Sequence, residues 1–240
     1  MSALTVITDN KKAWGFATAH CPVLWQEVKD IRDLLTPVLL GEISVLETAN
    51  ILVREIAKPT LYYRVQEDDE FIYLLYMVYH PFDWSDSKIP LVAKLDSHRH
   101  DTETISIRVA KRAGLFRKVG RRDIGCFAHN SIFFRKDATL DFYIEPKGHG
   151  IHPLTDQALI DNRNILRYGK LKLIGFGEIP ESELLGMKAD INRCGVNFPD
   201  QHIDMHLHLQ FRKPPENHVP GDLWDRPDMV FHLAERCGRL

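Results

Sequence analysis

The sequence predicts a mainly β (α+β) chain: a single-domain antiparallel β-sandwich with N-terminal helical additions. Three observations point there. A helical run precedes a strand run with no regular βαβ alternation, which argues against a Rossmann-type sheet. The segment Phe71–His80 (FIYLLYMVYH) is apolar on both faces, as expected of a strand buried mid-sandwich. No repeat, low-complexity stretch or linker rich in Pro, Gly or Ser interrupts the 240 residues, so one domain spans 1–240. Within it, a helical segment over 1–59 is expected to pack on a sandwich over 60–240.

The first helix is expected after Pro22, where a missing N–H suits an opening turn. Leu24, Trp25, Val28, Ile31, Leu34 and Leu35 then fall three or four apart, and Pro37 ends the run. A second helix is expected from Gly41 to Pro59, with Ile43, Leu46, Val53 and Ile56 on one face. Both stripes read as core packing. Strands follow at Thr60–Val65, Phe71–His80, Glu103–Val109, Ile124–His129, Ile132–Arg135, Leu140–Glu145, Lys170–Ile174 and Ile203–Phe211.

Composition narrows the function classes. Lys+Arg 31 against Asp+Glu 33 gives a formal charge of −2, which excludes a generally basic nucleic-acid binder. The basic stretch Arg108–Arg122 reads as a solvated hairpin loop or a patch for an anionic group, and Phe116 alone supplies little aromatic interleaving. No stretch approaches the roughly 18 apolar residues of a membrane helix. The N-terminus lacks the basic-then-apolar run of a secretory leader. Cytoplasmic location is the expectation, with secretion open if a leader was removed. Cys21, Cys126, Cys194 and Cys237 are scattered and fit buried thiols in a reducing compartment. Oligomeric state leaves no mark in the sequence.

The chemistry concentrates at Ser97-His98-Arg99-His100-Asp101-Thr102-Glu103. Alternation along a strand puts Asp101 and Glu103 on one face, continued by Ile105 and Ile107. Two carboxylates at i and i+2 heading an apolar face repel unless a cation or proton lies between them. With His98 they make an oxygen-rich set suited to Mg²⁺ or Ca²⁺, with Mn²⁺ or Zn²⁺ as further options. The competing reading is a polar strand entrance in which Arg99 pairs a carboxylate. A second group, Glu145-Pro-Lys-Gly-His149-Gly-Ile-His152-Pro, has glycines flanking His149 and reads either as a turn or as a segment bringing His149 beside the first site. A third, His202-Ile-Asp204-Met-His206-Leu-His208, reads as a half-exposed strand or a second ligand set. No nucleophile elbow or Gly-rich phosphate loop is present.

Ser97–Glu103 resembles the G-H-R-H-D-W-E heptapeptide of the necrosis-inducing (Nep1-like) family, with Ser97 in place of Gly and Thr102 in place of Trp. Upstream, Tyr76-Met-Val-Tyr79-His-Pro81-Phe-Asp83 is similar to that family's aromatic strand ending in Pro and Asp. Ile144–Gly150 is similar to an I-E-x-K-G-H-G segment of related uncharacterised bacterial and fungal proteins. The resemblance spans about Phe71–Pro153. It implies a β-sandwich holding a divalent cation used to bind sugar head groups on membrane lipids, with metal ligands at His98, Asp101, Glu103 and Asp83. Cytolytic activity is not carried over.

The expected function is cation-dependent recognition of a polar or anionic ligand, a carbohydrate or phospholipid head group. Arg99, His129 and His152 are candidate ligand contacts, with His100 and His149 shaping the site. The alternative is a metal-dependent hydrolase of an ester or phosphoester, with His100 or His149 as general acid or base. A third possibility is a cupin-type metalloenzyme, since His98-x-His100-x-x-Glu103 with Pro146-x-Gly148 and His152 is similar to the two cupin motifs at imperfect spacing.

Overall fold

The computed structural model describes residues 4–37, 59–84, 88, 98–113, 119–128, 131–136, 139–154, 165–175, 228 and 231, with backbone alone at 81–83, 98–102, 127–128, 131–134 and 136. Two sheets carry the described fold. The larger contains β1 (Thr5–Val6), β3 (Thr60–Glu67), β4 (Phe71–Asp83), β5 (His98–Ala110), β6 (Arg122–Ala128) and β7 (Ser131–Lys136) in the order β1-β3-β4-β5-β6-β7. A further strand, β11 (Lys172–Gly175), runs parallel to β3. The smaller sheet orders β10 (Ile165–Arg167), β2 (Val23–Glu27), β8 (Asp141–Ile144) and β9 (Ile151–Pro153). Most pairings are antiparallel, and β2–β8 and β3–β11 are the parallel pairs among the described strands.

The strand positions expected for β3 to β8 and β11 match these elements. The expected helix from Pro22 to Pro37 does not form. Val23–Glu27 is a strand whose residues alternate between buried and half-buried, followed by one 3-10 turn at Ile31–Asp33. The apolar residues of VLWQE satisfy a period of two as readily as a helical stripe, and pairing with strands on both sides decides the outcome. Asp30 then caps the turn by accepting from Arg32 N at 3.0 Å. The described helix lies earlier, at Asn10–Ala19 (α1), where Asp9 is the N-cap and accepts from Lys12 N at 3.0 Å. The expected helix over 41–59 falls almost wholly outside the described residues, and the expected strand Ile203–Phe211 lies outside them.

Turn chemistry sets the long hairpins. Between β3 and β4, Asp68 Oδ1 accepts from both Glu70 N and Phe71 N at 2.7 Å, an Asx-type closure. Between β5 and β6, Gly120 adopts a φ of 77°, a left-handed backbone that glycine supplies without strain. Arg108, expected at the start of a solvated loop, is instead buried in β5, bonded to Asp123 at 2.9 Å and lying over Phe71 and Phe231.

One core lies between the sheets. Ile72, Leu74, Tyr76 and Val78 of β4 and Ile105, Ile107 and Val109 of β5 face it from the large sheet. Leu24, Phe142, Ile144 and Ile151 enter from the small sheet, with Ala13 and Ala17 from α1. Each large side chain so buried contributes roughly 1.5–3 kcal/mol, whereas an exposed pair such as Lys12–Glu67 gives about 0–1 kcal/mol. Packing therefore fixes the β4–β5 pair. The other face of β4 is also closed: Tyr73, Leu75, Met77 and Tyr79 are buried, and Phe231 meets Tyr73 at a ring distance of 6.1 Å. Among the described residues, no helix is long and apolar enough to cross a membrane.

Tyr76 joins helix to sandwich, its hydroxyl donating to Ala17 O at 2.8 Å inside the core. Tyr76→Phe is expected to cost about 1 kcal/mol, read as a lower urea midpoint at unchanged slope. An unaltered midpoint would place that bond outside the stability of the fold.

Candidate functional site

Asp83, His98, Arg99, His100, Asp101 and Glu103 lie where β4 ends and β5 begins. The register sets Glu103 opposite Val78, Asp101 opposite His80, Arg99 opposite Phe82 and His98 opposite Asp83. Asp83, fifteen positions before His98 in the sequence, is therefore its direct backbone partner. Positions 101 and 103 have the parity of Ile105 and Ile107, which face the core. Glu103 is 3% exposed, and its carboxylate, after burial itself, helps push the neighbouring Cys126 thiol well above its ordinary pKa.

His80 continues the inner face of β4 beyond Tyr76 and Val78 and is fully buried. His149 stacks on it, with ring centroids 3.8 Å apart and planes within 6°. His149 thus rests on the residue whose backbone register partner is Asp101. His149 has a φ of 50° and Lys147 a φ of 74°, left-handed conformations that cost a residue with a side chain on the order of 1–3 kcal/mol unless the surroundings impose them.

Asp33 imposes them. Its Oδ1 accepts from Lys147 N at 2.8 Å and from Trp84 Nε1 at 2.8 Å, and lies 3.4 Å from His149 Nε2. Its Oδ2 accepts from Lys29 N at 2.7 Å and Asp30 N at 2.9 Å. Burial alone would raise this carboxyl. The imidazole of His149 and the N–H groups of Lys147, Lys29 and Asp30 outweigh burial and hold it well below the ordinary value of 3.8. Gln26 extends the network: its amide nitrogen meets Asp33 O and His80 Nε2, and its oxygen accepts from Tyr168 OH at 2.6 Å.

Of the remaining candidates, Arg99 and His100 are on β5 by backbone. His152 sits half-buried on β9, 3.6 Å from Glu145 and 6.4 Å in ring distance from Tyr143. His129 and the His202-Asp204-His206-His208 set lie outside the described residues. Among the described side chains, no group of three His, Cys, Asp or Glu residues could hold a metal; those of Asp83, His98 and Asp101 are outside that set. Together with Glu103 these positions offer three carboxylates and an imidazole, donor types that fit a hard divalent cation. Asp33, His80, Gln26 and Trp84 escaped the sequence reading. His80 lay in a strand segment already noted, whereas Asp33 was hidden by the mistaken helix.

The described strands define a mainly antiparallel β-sandwich in which Asp33, His149 and His80 meet near one end of the central strand pair. No protein-family model matches the chain, and no curated protein is significantly similar to it. Solved structures do share its fold. One described as NLPPya in complex with glucosamine superposes at a TM-score of 0.52 with 17% identity, covering 86% of this chain and 94% of that one. Another, described as a toxin fold for microbial attack and plant defense, gives 0.51 at 15% identity over the same shares. NLPPya in complex with mannosamine gives 0.51 at 16% identity, again over 86% and 94%. The resemblance to Nep1-like proteins thus extends from a short motif to the architecture.

Because the folded pKa of Asp33 is depressed, its contribution to stability is fully present above about pH 4 and is lost as pH falls toward the folded value. Asp33→Asn is expected to lower stability at pH 7 by about 2–4 kcal/mol and to flatten the acid limb of a stability–pH curve measured by urea unfolding. An acid limb of unchanged slope would show that Asp33 is not the carboxylate responsible.

Proposed function

We propose that the protein recognises a sugar head group through a divalent cation held at the end of the β4–β5 pair. Asp83, His98, Asp101 and Glu103 would hold the cation, Mg²⁺ or Ca²⁺ by donor type. When bound, it supplies an open coordination position for sugar hydroxyls. Positions 101 and 103 share one strand parity and positions 83 and 98 the other, so a site joining all four wraps the end of the pair. The observation that carries the reading is the register itself. It pairs Asp83 with His98 and sets Asp101 opposite His80, under the stacked His149. The glucosamine- and mannosamine-bound structures of the same fold support a sugar as the ligand.

In this reading Arg99, His100 and His152 contribute ligand contacts, and His149 is a fixed neighbour of the site. His149 is fully buried between His80 and Asp33, which suits orientation better than proton exchange with bulk solvent. That burial favours recognition over ester or phosphoester hydrolysis as the role of this site.

Metal analysis of purified protein beside Asp101→Asn and Glu103→Gln tests the reading. The wild type is expected to carry about one equivalent of cation. Each variant is expected to lose at least about 10-fold in affinity, since removal of a charged ligand costs more than 1.4 kcal/mol. Glucosamine titrated by calorimetry is expected to bind only the cation-loaded wild type. Equal cation loads in all three proteins, or none in any, would defeat the proposal.

A further inference from the structure

The partners of His80 determine which of its ring nitrogens carries the proton. Gln26, on β2, is fully buried, and the two ends of its side-chain amide can be told apart. One end meets the main-chain oxygen of Asp33, which only accepts, so that end is the NH2 group. The other end accepts from Tyr168 OH at 2.6 Å. That hydroxyl itself accepts from Leu35 N at 2.9 Å, which leaves its proton for Gln26. The amide orientation is thus settled from both ends. The same nitrogen lies 3.0 Å from His80 Nε2. An NH2 group donates and does not accept, so Nε2 is the acceptor and bears no proton. His80 is therefore a neutral imidazole with its proton on Nδ1.

The sheet shows where that N–H is directed. The two ring nitrogens point away from each other, so with Nε2 turned to Gln26 on the small sheet, Nδ1 turns back to the large one. The registered pairing of β4 with β3 ends at Met77, whereas its pairing with β5 continues through His80 and Asp101. Directly opposed residues of an antiparallel pair share a face, with Cβ atoms about 4.5–5.5 Å apart. The His149 ring, stacked at 3.8 Å and within 6° of parallel, fixes the plane of the His80 ring.

We propose that His80 is a positioning residue for the cation site: its Nδ1–H donates to the Asp101 carboxylate and orients that group toward the cation. The inference rests on the cation-site reading and adds the residue that aims one of its ligands. A carboxylate near a strand end can swing about its side-chain torsions. One fixed donor holds one oxygen and leaves the other for the metal. Gln26 makes that donor neutral, so no positive charge is set beside the cation. Outer partners of this kind are typically worth about 10–100-fold in metal affinity.

The test uses the full chain with Ca²⁺ as the cation, and NMR of the histidine ring nitrogens. With or without Ca²⁺, the wild-type His80 ring is expected to show a protonated Nδ1 and a bare Nε2. Asp101→Asn is expected to move the Nδ1 proton upfield, because a charge-assisted bond becomes an ordinary one. Two further substitutions separate position from packing. His80→Asn puts an amide N–H near the place of Nδ1, and His80→Gln puts one near that of Nε2. Ca²⁺ affinity by calorimetry is expected to stay within about threefold of wild type in His80→Asn and to fall at least about 10-fold in His80→Gln. A protonated Nε2, an Nδ1 proton indifferent to Asp101→Asn, or equal affinities in the two position-80 variants would overturn the proposal. Should neither of those variants fold, the two resonance readings decide alone. Loss of the Asn–Gln contrast in a protein that binds Ca²⁺ sinks only this proposal. A wild type that binds no cation sinks the cation reading, and the positioning role with it.

Discussion

Asp33 is a carboxylate sealed from water that accepts hydrogen bonds from Lys29 N, Asp30 N, Lys147 N and Trp84 Nε1 and lies beside His149. A lone buried charge costs several kcal/mol, and only a full set of donors offsets that. The donors here come from three separate places: the turn after β2, the residue following β4, and the segment between β8 and β9. Meeting the demands of one carboxylate therefore brings three segments to the same end of the sandwich. His149 and Lys147 hold left-handed backbones there because Asp33 fixes the peptide between β8 and β9. Gln26 links the same point to His80 and Tyr168, so the small sheet and the central strand pair share one polar bridge.

The apolar core and this bridge divide the work. Packing of Tyr76, Val78, Ile105 and Ile107 sets the β4–β5 register, which in turn decides that Asp83 faces His98 and Asp101 faces His80. The bridge then places His149 and Trp84 against that register. A recognition site needs this kind of rigidity more than it needs a mobile acid or base, because preorganised contacts lose less on binding.

Much of the strand framework was legible in the sequence, because β3 to β6 are long, aromatic and β-branched, and their burial leaves little ambiguity. Asp101 and Glu103 were legible as a pair because two carboxylates ahead of an apolar face call for an explanation. The region before Pro37 was not. In Val23–Glu27 the apolar residues fit both periods, and partner strands far away in sequence, at 141–144 and 165–167, settled the choice. Asp33 could not be recognised for the same reason: its role depends on donors 51 and 114 residues away along the chain. His80 was hidden by its apolar surroundings. Its register partner became visible only once the strands were paired.

The central claim is that a divalent cation sits where β4 and β5 end. Anomalous diffraction from crystals grown with Mn²⁺ as the cation tests it most directly. The account predicts one strong peak within coordination distance of Asp83, His98, Asp101 and Glu103. A peak elsewhere on the molecule, or none at a Mn²⁺ concentration that saturates the protein in solution, would contradict it.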